Sequence, residues 1–281
     1  MKITIAKNAG FCFGVKRAYD LTCVNSKNCT DIYILGKLVH NDDVCEDLYK
    51  RGIKETKSID NLEEGTIIFT AHGVGPGLYE KATNKGLKII DTTCPKVMKA
   101  QRLAKNFAEK GFQVLLFGDK SHKEVKSIRE WSNNKAKIIS SLAEIKKIKL
   151  DPEKKYYLLS QTTQNVQEFQ KIVDYLENKL KDFSYYNTIC PSTGDRQKEI
   201  RKLARENDLV LVVGGRDSAN SKRLFEIARE LNKNTFFLEN ETEIPEKAVQ
   251  KARSIAIAAG ASTPEWVIEK ILKKLEKIAN K

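Results

Sequence analysis

The 281-residue chain contains no apolar run approaching the roughly 18 residues that cross a bilayer. Its opening stretch, MKITIAKNAGFC, reads as a strand and lacks the hydrophobic region and small-residue cleavage site of a secretory signal, so a cytoplasmic location is expected. No G-x-G-x-x-G occurs. The adjacent glycines Gly214 and Gly215 lack that spacing, so neither a nicotinamide nor a flavin fingerprint is present. The six cysteines contain no C-x2-C pair, which disfavours a zinc site built from His40, Cys45, Cys23 and Cys29. In a reducing compartment, thiols, metal ligands or catalysis are better readings of those cysteines than disulfides. Arginine is scarce beside lysine, 11 of 50 basic residues. The net charge of +13 comes largely from lysine-rich helical faces such as KKIKLDPEKK, with no interleaved aromatics. That pattern argues against nucleic acid; a basic surface suits anionic small molecules and acidic protein partners. No Gly- or Ser-rich linker divides the chain.

What is present is a repeat. From Cys12, a glycine follows 24 residues on at Gly36 and a polar residue 28 on at His40. From Cys94 the same offsets reach Gly118 and His122, and from Cys190 they reach Gly214 and Ser218. The surrounding segments IYILGKLVHN, VLLFGDKSHK and LVLVVGGRDSAN are each an apolar run, a glycine and a polar loop. A second apolar run in each unit, TIIFTAHG, YYLLSQTT and SIAIAAGAS, places His72, Thr162 and Ser262 at one aligned position. A last short strand ends in each cysteine: LKIIDTTCP, SYYNTICP and, from the other end of the chain, MKITIAKNAGFC. Three copies of one unit can set three copies of one residue around a common axis.

Strands are expected at 31–35, 66–70, 113–117, 156–160, 209–213 and 254–258. Amphipathic helices are expected at 97–110, 166–180 and 222–231. Strands alternating with helices imply an α/β fold with parallel sheets, whose ligands sit at the carboxyl ends of strands. The repeats divide the chain at 1–94, 95–190 and 191–281, with the N-terminal strand closing the third.

Three converging thiolates with no fourth equivalent cysteine suit an iron–sulfur cluster that keeps one iron free of protein ligands. Cys23, Cys29 and Cys45 have no repeat counterparts and read as small buried hydrophobes. All three histidines fall in strand-end loops. With Ser218, Asn220 and Ser262 and the helix N-termini that follow, they form a site suited to phosphate oxygens. Glu124, two residues beyond His122, is a carboxylate able to shuttle protons; a helix-start residue favoured by the dipole is its plain alternative.

The segments GFCFGVKRA, LVHN, TAHGV, DTTCP, SHKEV, SQTT, the stretch from Thr188 to Gln197, DSANS and AGAS resemble the 4-hydroxy-3-methylbut-2-enyl diphosphate reductases. They do so in order and over nearly the whole chain. These enzymes end the methylerythritol phosphate route to isoprenoids. The resemblance implies a three-lobed α/β trefoil around a [4Fe–4S] cluster on Cys12, Cys94 and Cys190. It implies diphosphate binding by His40, His72, His122, Ser218, Asn220 and Ser262. Glu124 would deliver protons, and Thr162 would lie close to the substrate hydroxyl. The implied reaction is reductive dehydroxylation to isopentenyl and dimethylallyl diphosphates, with the hydroxyl held at the open iron and electrons supplied by a ferredoxin or flavodoxin. Two departures stand out. Ala219 occupies a position the family often fills with serine, and Pro191 follows Cys190 where the family varies. An open-iron hydro-lyase and a non-enzymatic iron–sulfur redox protein remain alternatives; the first would need no reductant, and the second would not need the strand-end ring of polar residues.

Overall fold

The computed structural model describes residues 1–27, 29 and 31–279. In chain order its strands are β1 (Lys2–Ile5), β2 (Ile32–Leu35), β3 (Lys54–Thr56), β4 (Thr66–Phe69), β5 (Lys88–Asp91) and β6 (Gln113–Phe117). Then come β7 (Lys137–Ile139), β8 (Tyr156–Ser160), β9 (Phe183–Tyr185), β10 (Leu209–Val213), β11 (Thr235–Leu238) and β12 (Ser254–Ala259). The helices are α1 (Phe13–Ser26), α2 (Asp42–Lys50), α3 (Pro76–Asn84), α4 (Pro95–Glu109), α5 (Lys123–Trp131) and α6 (Leu142–Lys147). They continue with α7 (Val166–Glu177), α8 (Pro191–Glu206), α9 (Ala219–Leu231), α10 (Glu246–Lys251) and α11 (Glu265–Ala279).

The described strands form three four-stranded sheets, β3-β2-β4-β5, β7-β6-β8-β9 and β11-β10-β12-β1, and every pairing in them is parallel. The chain divides into two compact units. One, residues 17–38 and 51–190, holds the first two sheets. The other, residues 1–16, 39–50 and 191 onward, holds the third, whose edge strand β1 pairs with β12 from Lys2↔Ser254 to Ile5↔Ile257.

The α/β class and its threefold repetition are as the sequence implies. Central strands β4, β8 and β10 are buried along their whole length, which explains their unbroken apolar runs. Phe117 on β6 and Phe169 on α7 are at most 1% exposed within one core, and Ile257 and Leu275 are fully buried in another. Each such side chain contributes about 1.5–3 kcal/mol through burial. The edge strand β3 carries no strong sequence signal: it is Lys-Glu-Thr, two of its three residues exposed. The first expected strand, 31–35, begins one residue later, at Ile32. Asp31 adopts φ +53°, a left-handed conformation outside any strand that aspartate tolerates.

All three sheets share one order. Within each unit the second strand lies outside the first, and the third and fourth lie on its other side. The direction of winding therefore reverses between the first and third strands, where such sheets open a crevice at their carboxyl ends. The three repeat glycines end the first strands identically. Gly36, Gly118 and Gly214 donate their N–H groups to Thr56, Ile139 and Leu238 carbonyls at 2.7, 2.9 and 2.9 Å. A side chain at Gly118 would meet Val125 at 2.6 Å, so only glycine lets α5 approach this closely.

Candidate active site

The residues singled out in the sequence all fall at strand ends. His40, His122 and Ser218 follow the first strands β2, β6 and β10; His72, Thr162 and Ser262 follow the third strands β4, β8 and β12. The cysteines follow the fourth strands β5, β9 and β1. Two polar constellations flank the switch points of the sheets, one in each compact unit.

In the unit built on β2–β9, His122 caps α5. Its Nδ1 accepts the backbone N–H of Glu124 at 3.2 Å, so the neutral ring carries its proton on Nε2. The His72 and His122 rings lie 5.4 Å apart, edge to face, and the Thr70 hydroxyl lies 3.4 Å from His72 Nδ1. Glu124, on the first turn of α5, is only 2% exposed. Its Oε1 accepts the Thr162 N–H at 2.6 Å and its Oε2 the Thr162 hydroxyl at 2.8 Å. Burial pushes the carboxyl up to about 7, against the lowering effect of the two Thr162 bonds. A carboxyl group with that value is protonated or ionised in comparable amounts near neutrality, the condition for proton transfer.

In the other unit, the Ser218 side chain caps α9 by accepting the Ser221 N–H at 3.3 Å. Asn220, on the first turn, is 4% exposed, and its Nδ2 has no hydrogen-bond partner in the structure. The Ser262 hydroxyl, 6% exposed, donates to the His40 carbonyl at 3.4 Å. A buried amide donor with no partner, at a helix N-terminus whose first N–H groups face no acceptor of the helix itself, is a site for an anion.

Each of the three repeat cysteines stands at the start of a helix. Cys94 is the N-cap of α4, and the Cys12 and Cys94 carbonyls accept the N–H groups of Lys16 and Met98 at 2.9 Å. Cys190 immediately precedes α8, whose first residue, Pro191, is well suited to a position that needs no N–H. Helix N-termini favour thiolates. All six cysteines are half-buried. This donor chemistry fits an iron–sulfur cluster. Cys23 instead lies within α1 and Cys45 within α2, Cys45 directing its thiol to the Val39 carbonyl at 3.9 Å; Cys29 contacts Lys88 Nζ at 3.8 Å.

One detail differs from the sequence reading. Ile34, Leu116 and Val212, each two residues before a repeat glycine, pair with Ile68, Leu159 and Ala258. Counting four residues on from these partners gives His72, Thr163 and Ser262. Thr162 therefore matches Ala71 and Ala261, one position earlier than aligned. The cysteine N–H bonds agree: Cys94, Cys190 and Cys12 donate to the Ala71, Thr162 and Ala261 carbonyls at 3.1, 2.9 and 3.1 Å. Matching hydroxyls by eye misses such a slip, whereas ladder register determines which way each side chain points. In the first repeat, α2 is capped by Asn41, whose Oδ1 accepts the Val44 N–H at 3.1 Å. The signal was there, an asparagine followed by two aspartates on a first turn.

Comparison with known proteins places the whole chain. Residues 3–276 match the family model described as LytB protein. The chain is 38% identical over 280 residues to the 4-hydroxy-3-methylbut-2-enyl diphosphate reductase of Clostridioides difficile, covering 99% of this chain and 100% of that protein. It is 37% identical over 278 residues to the Geotalea uraniireducens protein of the same name, covering 99% and 98%. The solved structure of the Plasmodium falciparum E-1-hydroxy-2-methyl-but-2-enyl-4-diphosphate reductase superposes with a TM-score of 0.92 at 29% identity, over 97% of this chain and 87% of that one. A solved (E)-4-hydroxy-3-methyl-but-2-enyl diphosphate reductase, the terminal enzyme of the non-mevalonate pathway, superposes with a TM-score of 0.71 at 34% identity, over 99% and 100%. With its repeat cysteines at helix starts, its strand-end polar residues and this full-length similarity, the chain belongs to the LytB family of 4-hydroxy-3-methylbut-2-enyl diphosphate reductases.

Proposed function

We propose that this chain reductively dehydroxylates 4-hydroxy-3-methylbut-2-enyl diphosphate to isopentenyl and dimethylallyl diphosphates, with a [4Fe–4S] cluster held by Cys12, Cys94 and Cys190. Full-length family membership supports the activity. The observation that carries the residue roles is Glu124, a carboxyl group buried against Thr162 and poised at about 7.

The conversion breaks one carbon–oxygen bond, releases the oxygen as water and consumes two electrons and two protons. The cluster, when bound, would supply the electrons one at a time and a Lewis-acidic iron without a protein ligand. The chain's own residues supply position and protons. Glu124 in its protonated form donates to the departing oxygen, and Thr162 holds the carboxyl in place through two bonds, so the proton is presented without reorganisation.

The diphosphate is assigned to the donors His40, His72, His122, Ser218, Asn220 and Ser262. The uncommitted Asn220 Nδ2 and the Nε2–H of His122 are donors suited to phosphate oxygens. Ala219 carries no hydroxyl, but its N–H lies on the first turn of α9 and serves in its place. Binding energy from this remote, non-reacting group fixes the hydroxyl for reaction.

The electrons come from an acidic donor protein, a ferredoxin or flavodoxin, which a chain of net charge +13 attracts. No described helix is long and apolar enough to cross a membrane.

The test is turnover by anaerobically reconstituted protein. With substrate and a reduced dye, formation of the two hydrocarbon diphosphates and water is expected, and nothing should form without reductant. Loss of the hydroxyl without reductant would instead identify a hydro-lyase. A Mössbauer spectrum that shows one iron changed by substrate would support the cluster assignment.

A further inference from the structure

The two cysteines that follow β5 and β9 are presented by the same backbone device. Asp91 Oδ1 accepts the N–H of Thr93 at 2.9 Å, two residues on, and Asn187 Oδ1 accepts the N–H of Ile189 at 3.0 Å, also two residues on. The next residue in each segment is a threonine whose hydroxyl reaches across the sheet. Thr92 donates to the Phe69 carbonyl at 2.6 Å, and Thr188 donates to the Ser160 carbonyl at 2.5 Å. Phe69 and Ser160 are the last residues of β4 and β8, equivalent by register. The cysteine then closes the device by donating its own N–H to the loop beyond that strand, Cys94 to Ala71 and Cys190 to Thr162. Thus D-T-T-C and N-T-I-C are one clasp written twice.

The third cysteine shares only the last step, the bond from Cys12 N–H to the Ala261 carbonyl at 3.1 Å. Its approach is longer and is held from α8. Glu199 accepts the N–H groups of Lys7 and Asn8 at 2.7 and 3.3 Å, and Arg196 donates to the Gly10 carbonyl at 2.7 Å.

The two clasps differ in charge. Asp91 carries a carboxylate whose Oδ1 also accepts the Thr93 hydroxyl at 2.5 Å and whose Oδ2 accepts the Tyr79 hydroxyl at 2.8 Å. Asn187, in the same place, is neutral. Resting on the cluster reading above, we propose that Asp91 and Asn187 are positioning residues for the cluster ligands Cys94 and Cys190, and that the Asp91 charge makes the cluster harder to reduce. Geometry needs only the side-chain oxygen common to both residues. The carboxylate adds a negative charge three residues before Cys94, in a clasp whose Thr93 carbonyl also accepts from the Arg17 guanidinium at 3.3 Å, whereas Asn187 adds none three residues before Cys190; negative charge disfavours an added electron.

Because the protein uses asparagine for the same bond in its second repeat, exchange of the two residue types separates geometry from charge. The experiment measures iron release to a chelator and the cluster midpoint potential by spectroscopically monitored redox titration on anaerobically reconstituted holoprotein. Asp91→Ala and Asn187→Ala should each release iron about tenfold to a hundredfold faster than the parent, the usual cost of losing an outer-shell partner. Asp91→Asn should hold its cluster like the parent but with a more positive potential, and Asn187→Asp should shift it more negative. If Asp91→Ala fails to fold, Asn187→Ala and the two exchanges read the same proposal. Parent-like iron release in the alanine variants, or Asp91→Asn as leaky as Asp91→Ala, would overturn the positioning role. Unmoved potentials in both exchanges would overturn the role of charge. A parent protein that takes up no cluster, or keeps it after Cys94→Ser, would refute the cluster reading itself.

Discussion

In the proposed reaction the proton chemistry rests on one side chain, Glu124. Its spacing two residues after a repeat histidine marks it in the sequence, but spacing alone leaves a dipole-favoured helix start as an equal reading. Glu124 does lie on the first turn of α5; its burial at 2% exposure and its paired bonds to Thr162 are what support the proposed proton donor. Glu124→Gln keeps the shape and removes the titratable proton, so turnover should fall at least about a hundredfold while cluster absorbance and substrate affinity survive. In the parent, the alkaline limb of kcat should fall near pH 7, where Glu124 loses its proton.

The same shift predicts a stability effect. The folded carboxyl is raised from 4.5 to about 7, so between those values the folded state binds a proton that the unfolded chain has released. This contribution is full below the unfolded value and is lost as pH rises through 7, amounting to about 3 kcal/mol. Denaturant titrations should therefore show Glu124→Gln gaining on the parent by roughly that amount between about pH 4 and pH 8. A constant difference across that range would return Glu124 to an ordinary, solvated carboxylate.

At the scale of elements, the helix N-termini carry the site. Cys12, Cys94 and Cys190 each open a helix, whereas Cys23 and Cys45 lie inside helices and Cys29 in a loop. Serine at any one of the first three should abolish the intact cluster and activity, while the triple change of Cys23, Cys29 and Cys45 should leave visible absorption largely unaltered. Bleaching by the second set alone would contradict the assignment.

The first turn of α9 allows a parallel test of the anion site. Asn220→Ala removes a buried donor that has no protein partner, and His40→Ala removes a second donor. Each should weaken diphosphate binding by about tenfold to a hundredfold in calorimetry, the loss of about 1.5–3 kcal/mol. Ala219→Ser should change affinity little; a tenfold gain would mean that the backbone N–H does not replace the missing hydroxyl.

At the scale of the whole molecule, the net charge of +13 should govern the encounter with an acidic electron donor. The second-order rate of reduction by a ferredoxin or flavodoxin is expected to fall as salt rises from about 0.05 to 0.5 M, with reduction by a neutral dye nearly unchanged. Equal salt dependence for both reductants would remove electrostatic steering from the account.

The amino-acid sequence by itself determined the α/β class, the threefold repetition and the central strands, and it set Cys12, Cys94 and Cys190 at one repeat position. These follow from signals local in the chain: unbroken apolar runs that only a doubly covered strand produces, and offsets counted along one unit. The edge strand β3 was illegible because an exposed three-residue edge needs little apolar pattern. The tertiary structure decided what depends on pairing and burial. Register moved Thr162 to the position of Ala71 and Ala261, and the Glu124 carboxyl rose toward neutrality. Each depends on partners distant in sequence, brought together only when the sheets form, and neither composition nor spacing specifies those distances.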